Sequence, residues 1–273
     1  MIKELRFHMV KHITMNKNNL NLTLVQPDLT GIICCRTLNF LHYEKILENH
    51  HVKDIMVLPE MFSTGFITNY PQTIAENEDS SISIQFMEQL SIKHNCNVIG
   101  SVIINENNLF YNRLFSINKN NNIYYKYDKN NLFPFGLNNE TLFFTPGKSK
   151  QLIIHNEWKI KPIICYDLRF PLLTYNKGYE YDVLLVIASW PKIRSHAWSA
   201  LLKARAIENQ CYVVAVNFVG TGWHNTEYNG LTSVYDPLGE LLYYCNGVEN
   251  IIDVCLTKQH LDTIRTNFPI LKN

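Results

Sequence analysis

The sequence has almost no net charge. Its 273 residues include 25 Lys and Arg against 24 Asp and Glu, which leaves a formal charge of +1 at pH 7. Proteins that bind nucleic acid or an anionic membrane usually present an excess of Lys and Arg to the phosphates, and this chain has no such excess. We therefore expect a small-molecule substrate, and neither nucleic acid nor a membrane as a partner.

Long apolar runs are also missing. No run approaches the roughly 20 residues that cross a membrane. Residues 1–19 are rich in Lys, His and Asn and lack the continuous apolar core of a secretory signal peptide. We expect residues 1–19 to be a flexible N-terminal extension, residues 20–273 to form a single domain, and the protein to be cytoplasmic.

The seven cysteines lack any pairing pattern. Their positions are irregular, with no C-x-x-C pair and no Cys/His cluster that has zinc spacing. The neighbours Cys34 and Cys35, like His50 and His51, have no evident third ligand. The sequence thus predicts reduced thiols and no metal site.

What the chain does contain is an alternation of apolar strands with helices. The predicted strands cover residues 20–25, 54–59, 97–104, 109–117, 122–127, 151–155, 159–164, 181–188, 211–218, 232–236, 240–244 and 251–256. The predicted helices cover residues 37–47, 82–94, 195–210 and 261–268. The three consecutive strands between residues 97 and 127 indicate an antiparallel patch. Neither a linker nor a repeat interrupts the alternation, which indicates one α/β domain.

Three residues whose side chains could take part in catalysis lie at or just past the ends of predicted strands: Glu60, Lys129 and Cys165. In open α/β sheets ligands bind outside the carboxyl ends of strands, so these side chains can converge. The turn at Cys165 is typical of those that display a nucleophile beside free backbone N–H groups. Taken singly, a buried cysteine is more often inert and a Glu or Lys is more often solvated. The joint pattern therefore carries the prediction.

The segments around these residues read V-L-P-E-M-F-S-T-G-F, Y-D-K-N-N-L-F and I-C-Y-D-L-R-F-P. They resemble, in order, the three motifs of the nitrilase superfamily of carbon–nitrogen hydrolases, and the resemblance runs from about residue 22 to the C-terminus. A-S-W-P at 188–191 and A-R-A-I-E-N-Q at 204–210 are similar to the omega-amidase branch, which cleaves the terminal amide of 2-oxoglutaramate and related 2-oxo-acid monoamides. The resemblance implies a four-layer α-β-β-α sandwich, a homodimer and no cofactor.

The resemblance also implies catalytic roles. Cys165 is expected to attack the amide and form a thioester with loss of ammonia. Glu60 is expected to be the general base. Lys129, with the backbone N–H of Tyr166, is expected to stabilise the oxyanion and to favour the thiolate. The family pattern E-x-x-x-F-x-x-G, which begins here at Glu140, predicts a second carboxylate that holds the lysine.

Two arginines and three aromatic residues are predicted to bind the substrate: Arg169, Arg194, Phe62, Tyr166 and Trp190. A guanidinium group can hold a carboxylate through two parallel hydrogen bonds. A structural ion pair with Asp167 or Glu208 explains either arginine equally well. Aromatic side chains at strand ends can likewise serve packing alone.

The chain departs from the family pattern at several positions. The segment 133–139 before the second carboxylate is longer by a couple of residues. Asn131 stands where the family often has His, Phe218 replaces an Arg, and Leu231 replaces a polar residue. These departures concern the substrate pocket or the dimer. Three other functions stay open: an amidase for another substrate such as deaminated glutathione, a non-catalytic metabolite-binding protein, and an acyltransferase.

Overall fold

A computed structural model describes residues 18–118, 120, 122–149 and 151–272. Residues 1–17 of the predicted N-terminal extension lie outside the described residues. Asn19, the last residue of that extension, already begins the first strand. Within the described residues, no helix is long and apolar enough to cross a membrane.

Strands and helices alternate as predicted, with additional short elements. The strands are β1 (Asn19–Gln26), β2 (Ile55–Val57), β3 (Glu76–Asn77), β4 (Asn97–Glu106), β5 (Leu109–Asn118), β6 (Asn122–Asp128), β7 (Ile153–His155), β8 (Trp158–Ile164), β9 (Val183–Ile187), β10 (Tyr212–Val216), β11 (Val219–Thr221), β12 (Glu227–Asn229), β13 (Ser233–Tyr235), β14 (Leu241–Tyr244) and β15 (Asn250–Thr257). The helices are α1 (Arg36–Leu47), α2 (Pro71–Ile74), α3 (Ile82–His94), α4 (Pro171–Thr174), α5 (Ser195–Asn209) and α6 (Lys258–Asn267).

Two large sheets carry most of the strands. The first has the order β15-β1-β2-β4-β5-β6, with β3 paired to β4, and the second has the order β14-β13-β10-β9-β8-β7. Strands β1, β2 and β4 run parallel, whereas β4, β5 and β6 are antiparallel, which confirms the predicted antiparallel patch. In the second sheet β8, β9 and β10 run parallel.

The two sheets pack face to face around one apolar core. Leu22 and Ile55 of the first sheet belong to the same buried cluster as Ile163 and Leu185 of the second. Strand β9 is buried along its whole length, which explains why its sequence is apolar throughout. Helix α5 packs on the outer face of this sheet, against β10 and β13. Helices α1 and α3 cover the outer face of the first sheet. The layer order α-β-β-α is the one predicted.

The sequence did not reveal the β-hairpin formed by β11 and β12. Its strands have three residues each and little apolar alternation, so no periodic signal marks them. Isolated bridges join Val219 to Asp28 and Tyr228 to Pro191. The hairpin is thereby fixed beside the segment that follows β9.

Candidate active site

Cys165 lies at the end of β8, where the strand turns into a 3₁₀ segment, Cys165–Arg169. Its φ of +47° belongs to the left-handed region, which non-glycine residues rarely adopt without support from their surroundings. The support comes from Asp167, whose carboxylate accepts hydrogen bonds from the backbone N–H of Ile164 at 3.1 Å and from the hydroxyl of Tyr127 at 2.8 Å. These contacts hold the turn that displays the thiol.

Glu60, Lys129 and Glu140 form a buried ionic triad. The ammonium of Lys129 is 2.8 Å from Glu60 Oε1 and 2.7 Å from Glu140 Oε2, and none of the three side chains reaches solvent. Burial alone would lower the pKa of Lys129, but the two carboxylates outweigh it and raise that pKa above its ordinary value. Burial, and to a lesser degree the charge of Glu60, raises the pKa of Glu140.

Each oxygen of Glu60 accepts a further hydrogen bond. Asn112, in the middle of β5, donates from Nδ2 to Glu60 Oε1 at 2.7 Å and to Glu140 Oε1 at 3.3 Å. The backbone N–H of Ser189, just after β9, donates to Glu60 Oε2 at 2.7 Å. Sequence reasoning missed both donors. An amide within a strand that is otherwise largely apolar was the available signal for Asn112.

The lengthened segment 133–139 does not displace Glu140. The backbone N–H of Glu140 donates to the carbonyl of Phe133 at 2.8 Å, and the N–H of Phe133 donates to Glu140 Oε2 at 2.7 Å. The segment is therefore a loop whose two ends meet at the carboxylate. Phe135 and Leu137 from this loop line the cavity described next.

A cavity of about 320 Å³ opens above Cys165, which is 8% exposed. The predicted residues Tyr166, Arg169, Trp190 and Arg194 all line it. Its size suits a small molecule. Among the residues that the structure describes, no group of three His, Cys, Asp or Glu is arranged to hold a metal ion.

Phe62 does not line the cavity, and its predicted place in the pocket wall was wrong. The residue before it, Met61, has a φ of +47°, which turns the chain so that Phe62 enters the core between the first sheet and its helices. There its ring lies 5.8 Å from that of Tyr43 and 6.3 Å from that of Phe86. Phe66, four residues later, is the aromatic residue of this segment that reaches the cavity.

The surroundings of Cys165 favour the thiol over the thiolate. Burial raises its pKa well above the ordinary value of 9.0, and the charge of Glu60 adds to this, whereas Lys129 and a hydrogen bond from the Ser189 backbone lower it. The influences that raise the pKa of the thiol outweigh those that lower it. The expected effect of Lys129 on the thiolate is thus present but outweighed.

The guanidinium groups of Arg169 and Arg194 form no ion pair within the described part of the chain. Arg169 lies over the ring of Trp190 at 4.9 Å, and Arg194 lies over the ring of Phe133 at 5.0 Å. The acidic partners considered from the sequence have other partners. Asp167 accepts hydrogen bonds from Tyr127 and the Ile164 backbone, and Glu208 pairs with Arg205 at 2.7 Å. Both arginines are therefore left to face the cavity.

Known proteins share this fold and this sequence pattern. Residues 39–265 match the family model for carbon-nitrogen hydrolases, and the chain belongs to that family, so it is an amidase-type enzyme of the nitrilase superfamily. Omega-amidase YafV from Yersinia enterocolitica is 33% identical over 253 residues, which is 92% of this chain and 95% of the relative. 2-Oxoglutaramate amidase from Bacillus subtilis is 32% identical, covering 82% of this chain and 85% of the relative. The crystal structure of XC1258 from Xanthomonas campestris, a CN-hydrolase superfamily protein with an arsenic adduct in its active site, superposes with a TM-score of 0.87 at 30% identity, covering 93% of this chain and 96% of that one.

Proposed function

We propose that this enzyme is an omega-amidase that hydrolyses the terminal amide of 2-oxoglutaramate, or of a similar 2-oxo-dicarboxylic acid monoamide, to the acid and ammonia. One observation carries the proposal: the thiol of Cys165 and the free guanidinium groups of Arg169 and Arg194 line the same small cavity. A short substrate can therefore place its amide at the sulfur and its carboxylate at an arginine. The names of the two bacterial relatives support the same substrate class.

Acylation begins when Glu60 removes the proton from the Cys165 thiol and the sulfur attacks the amide carbon. The carbonyl oxygen becomes an oxyanion, which Lys129 and the backbone N–H of Tyr166 stabilise. Loss of one such donor typically raises the barrier by about 2.7–4 kcal/mol. The C–N bond then breaks as Glu60 passes its proton to the nitrogen, which leaves ammonia and a thioester.

Deacylation uses the same base. Glu60 removes a proton from a water molecule, which attacks the thioester carbon, and the C–S bond breaks to give the acid. The proton then returns to the sulfur of Cys165. Glu140 and Asn112 act as positioning residues in both steps, because they hold the Lys129 ammonium and the Glu60 carboxylate through hydrogen bonds of 2.7–3.3 Å.

We also propose a homodimer in the cytoplasm. The homodimer is supported by two apolar side chains that are strongly exposed, Leu172 at 90% and Ile193 at 87%. A second subunit would cover such an apolar surface. Light scattering after size-exclusion chromatography tests the dimer, and a monomer at working concentration contradicts it.

The cytoplasmic location is supported by the cysteines. All seven are unpaired, as thiols are in a reducing compartment.

A substrate panel tests the proposed function. Ammonia release is measured from 2-oxoglutaramate, glutamine, deaminated glutathione and a simple nitrile under the same conditions. We expect the highest kcat/KM with 2-oxoglutaramate. A higher value with deaminated glutathione assigns the enzyme to another amidase branch. Failure to release ammonia from any of the four contradicts the proposal and favours a binding protein.

A further inference from the structure

Tyr228, in the middle of β12, has a hydroxyl that the mechanism above does not use. Its side chain is 5% exposed and lines the cavity together with Cys165 and Arg194. No hydrogen-bond partner for this hydroxyl lies among the residues that the structure describes. Because Tyr228 lines the cavity, a hydroxyl without a protein partner there is available to a bound molecule.

The ring of Tyr228 is fixed from several sides. Phe218, which stands where the family often has Arg, packs against it with ring centroids 4.2 Å apart. Gly222 lies so close that a Cβ at that position would be 2.5 Å from the tyrosine ring. The backbone bridge to Pro191 holds the strand itself. The hydroxyl is therefore presented at one place, as a specificity contact requires.

The electrostatic surroundings of Tyr228 favour a neutral donor. Burial raises its pKa above the ordinary value, and the charges of Cys165 and Glu60 add to this, while Arg194 and Lys129 act in the opposite direction. Tyr228, Cys165 and Arg194 line the same cavity, so a substrate that reaches both the thiol and the guanidinium group lies within the space that the phenol also borders.

The charge of the cavity lining also bears on the substrate. Two arginines and His224 line the cavity, but none of its lining residues within the described ranges is an Asp or Glu. The 2-ammonium group of an amino-acid amide such as glutamine would lie near the two arginines, without a lining carboxylate to pair with it. The 2-oxo group of a 2-oxo-acid monoamide needs only a hydrogen-bond donor.

We propose that Tyr228 is a specificity-determining residue whose hydroxyl donates a hydrogen bond to the 2-oxo oxygen of the substrate. This inference rests on the proposed function, since it names the group that distinguishes a 2-oxo-acid monoamide from its analogues. Phe218 acts through Tyr228, as the ring that keeps the phenol in place.

The test compares wild type with Tyr228→Phe on two substrates, 2-oxoglutaramate and glutaramate, which has a CH₂ group in place of the 2-oxo carbon. Both substrates have the same amide and the same carboxylate. We expect the substitution to lower kcat/KM for 2-oxoglutaramate by about 10- to 100-fold, and to leave kcat/KM for glutaramate within about twofold, a difference of the size seen at surface substitutions. Tyr212→Phe is the matched control, because that hydroxyl donates to the Thr257 carbonyl outside the cavity lining.

Two results in the variant overturn the inference. An equal loss on both substrates assigns Tyr228 to the chemistry or to folding, and no loss on either shows that the hydroxyl does not contact the substrate. Failure of the proposed function gives a different result, visible without any substitution. In that case wild-type enzyme releases ammonia from neither 2-oxoglutaramate nor glutaramate, and the role of Tyr228 is refuted with it.

Discussion

Lys129 Nζ and Glu60 Oε1 lie 2.8 Å apart, in an ion pair that is closed to solvent and joins residues 69 positions apart in the chain. The lysine follows β6 and the glutamate follows β2, so the pair ties together two strand ends of the first sheet. Cys165 reaches the same site from the second sheet. The proposed active site therefore lies at the interface between the two sheets, and its charged groups are buried together with their ionic partners.

Lys129→Met should destabilise the fold as well as abolish turnover. It leaves the carboxylates of Glu60 and Glu140 buried without a cation, which typically costs about 3–5 kcal/mol. Urea unfolding measures the change. Lys192→Met is the control, since the Lys192–Glu227 pair is 59% and 64% exposed and solvent screens its attraction, so that its loss should change stability little. Equal stability of the two variants contradicts the buried triad.

Asn112→Leu should lower kcat by about tenfold or more while changing KM little. The substitution keeps the side-chain size but removes the donor that bridges the two carboxylates. Within the described residues, Glu60 Oε1 then keeps only Lys129, and Glu140 Oε1 loses its donor, at a cost of about 1–3 kcal/mol. Steady-state ammonia release, with circular dichroism as the check on folding, measures the effect. An unchanged kcat would show that the amide does not position Glu60.

The Cys165 thiol should stay protonated at neutral pH in the free enzyme. Its pKa is raised, so the protonated form persists to higher pH than in an ordinary cysteine, and the thiolate appears only above the usual value of 9.0. Ultraviolet difference absorbance between wild type and Cys165→Ala reports the thiolate during a pH titration. A thiolate signal from this residue at neutral pH would mean that Lys129 dominates.

Arg194→Met and Arg169→Met test the site of the substrate carboxylate. A hydrogen bond to a charged group contributes about 1.5–3 kcal/mol, so loss of the arginine that binds the carboxylate should raise KM for 2-oxoglutaramate by about 10- to 100-fold. Pentanamide, which has no carboxylate, is the control substrate and should be unaffected. If neither variant raises KM for 2-oxoglutaramate selectively, the carboxylate binds elsewhere.

Local sequence signals were sufficient to select Glu60, Lys129, Cys165 and Glu140 as candidates, because each residue lies within a short motif and the first three lie at or just past strand ends. The alternation of apolar strands and helices indicated an α/β domain, and the four-layer arrangement was predicted from the resemblance to the nitrilase superfamily. The longer loop before Glu140 is closed by hydrogen bonds between Phe133 and Glu140, which the sequence did not predict.

Features that depend on backbone direction or on distant partners were not predictable in this way. The positive φ of Met61 sends Phe62 into the outer core, and no sequence pattern marks that reversal. Asn112 and Tyr228 acquire their places only when β5 and the β11–β12 hairpin meet the strand ends. Contacts between residues that are far apart in the chain decide their function, and single-sequence periodicity does not contain that information.

Ammonia release from 2-oxoglutaramate by wild type and by Cys165→Ala, measured side by side, tests the central claim most directly. The account predicts that the substitution lowers the rate by on the order of 10⁴-fold or more, because loss of a nucleophile leaves only binding and oxyanion stabilisation. Urea unfolding confirms that the variant is folded. A folded Cys165→Ala enzyme that retains a rate near that of wild type would contradict the cysteine mechanism.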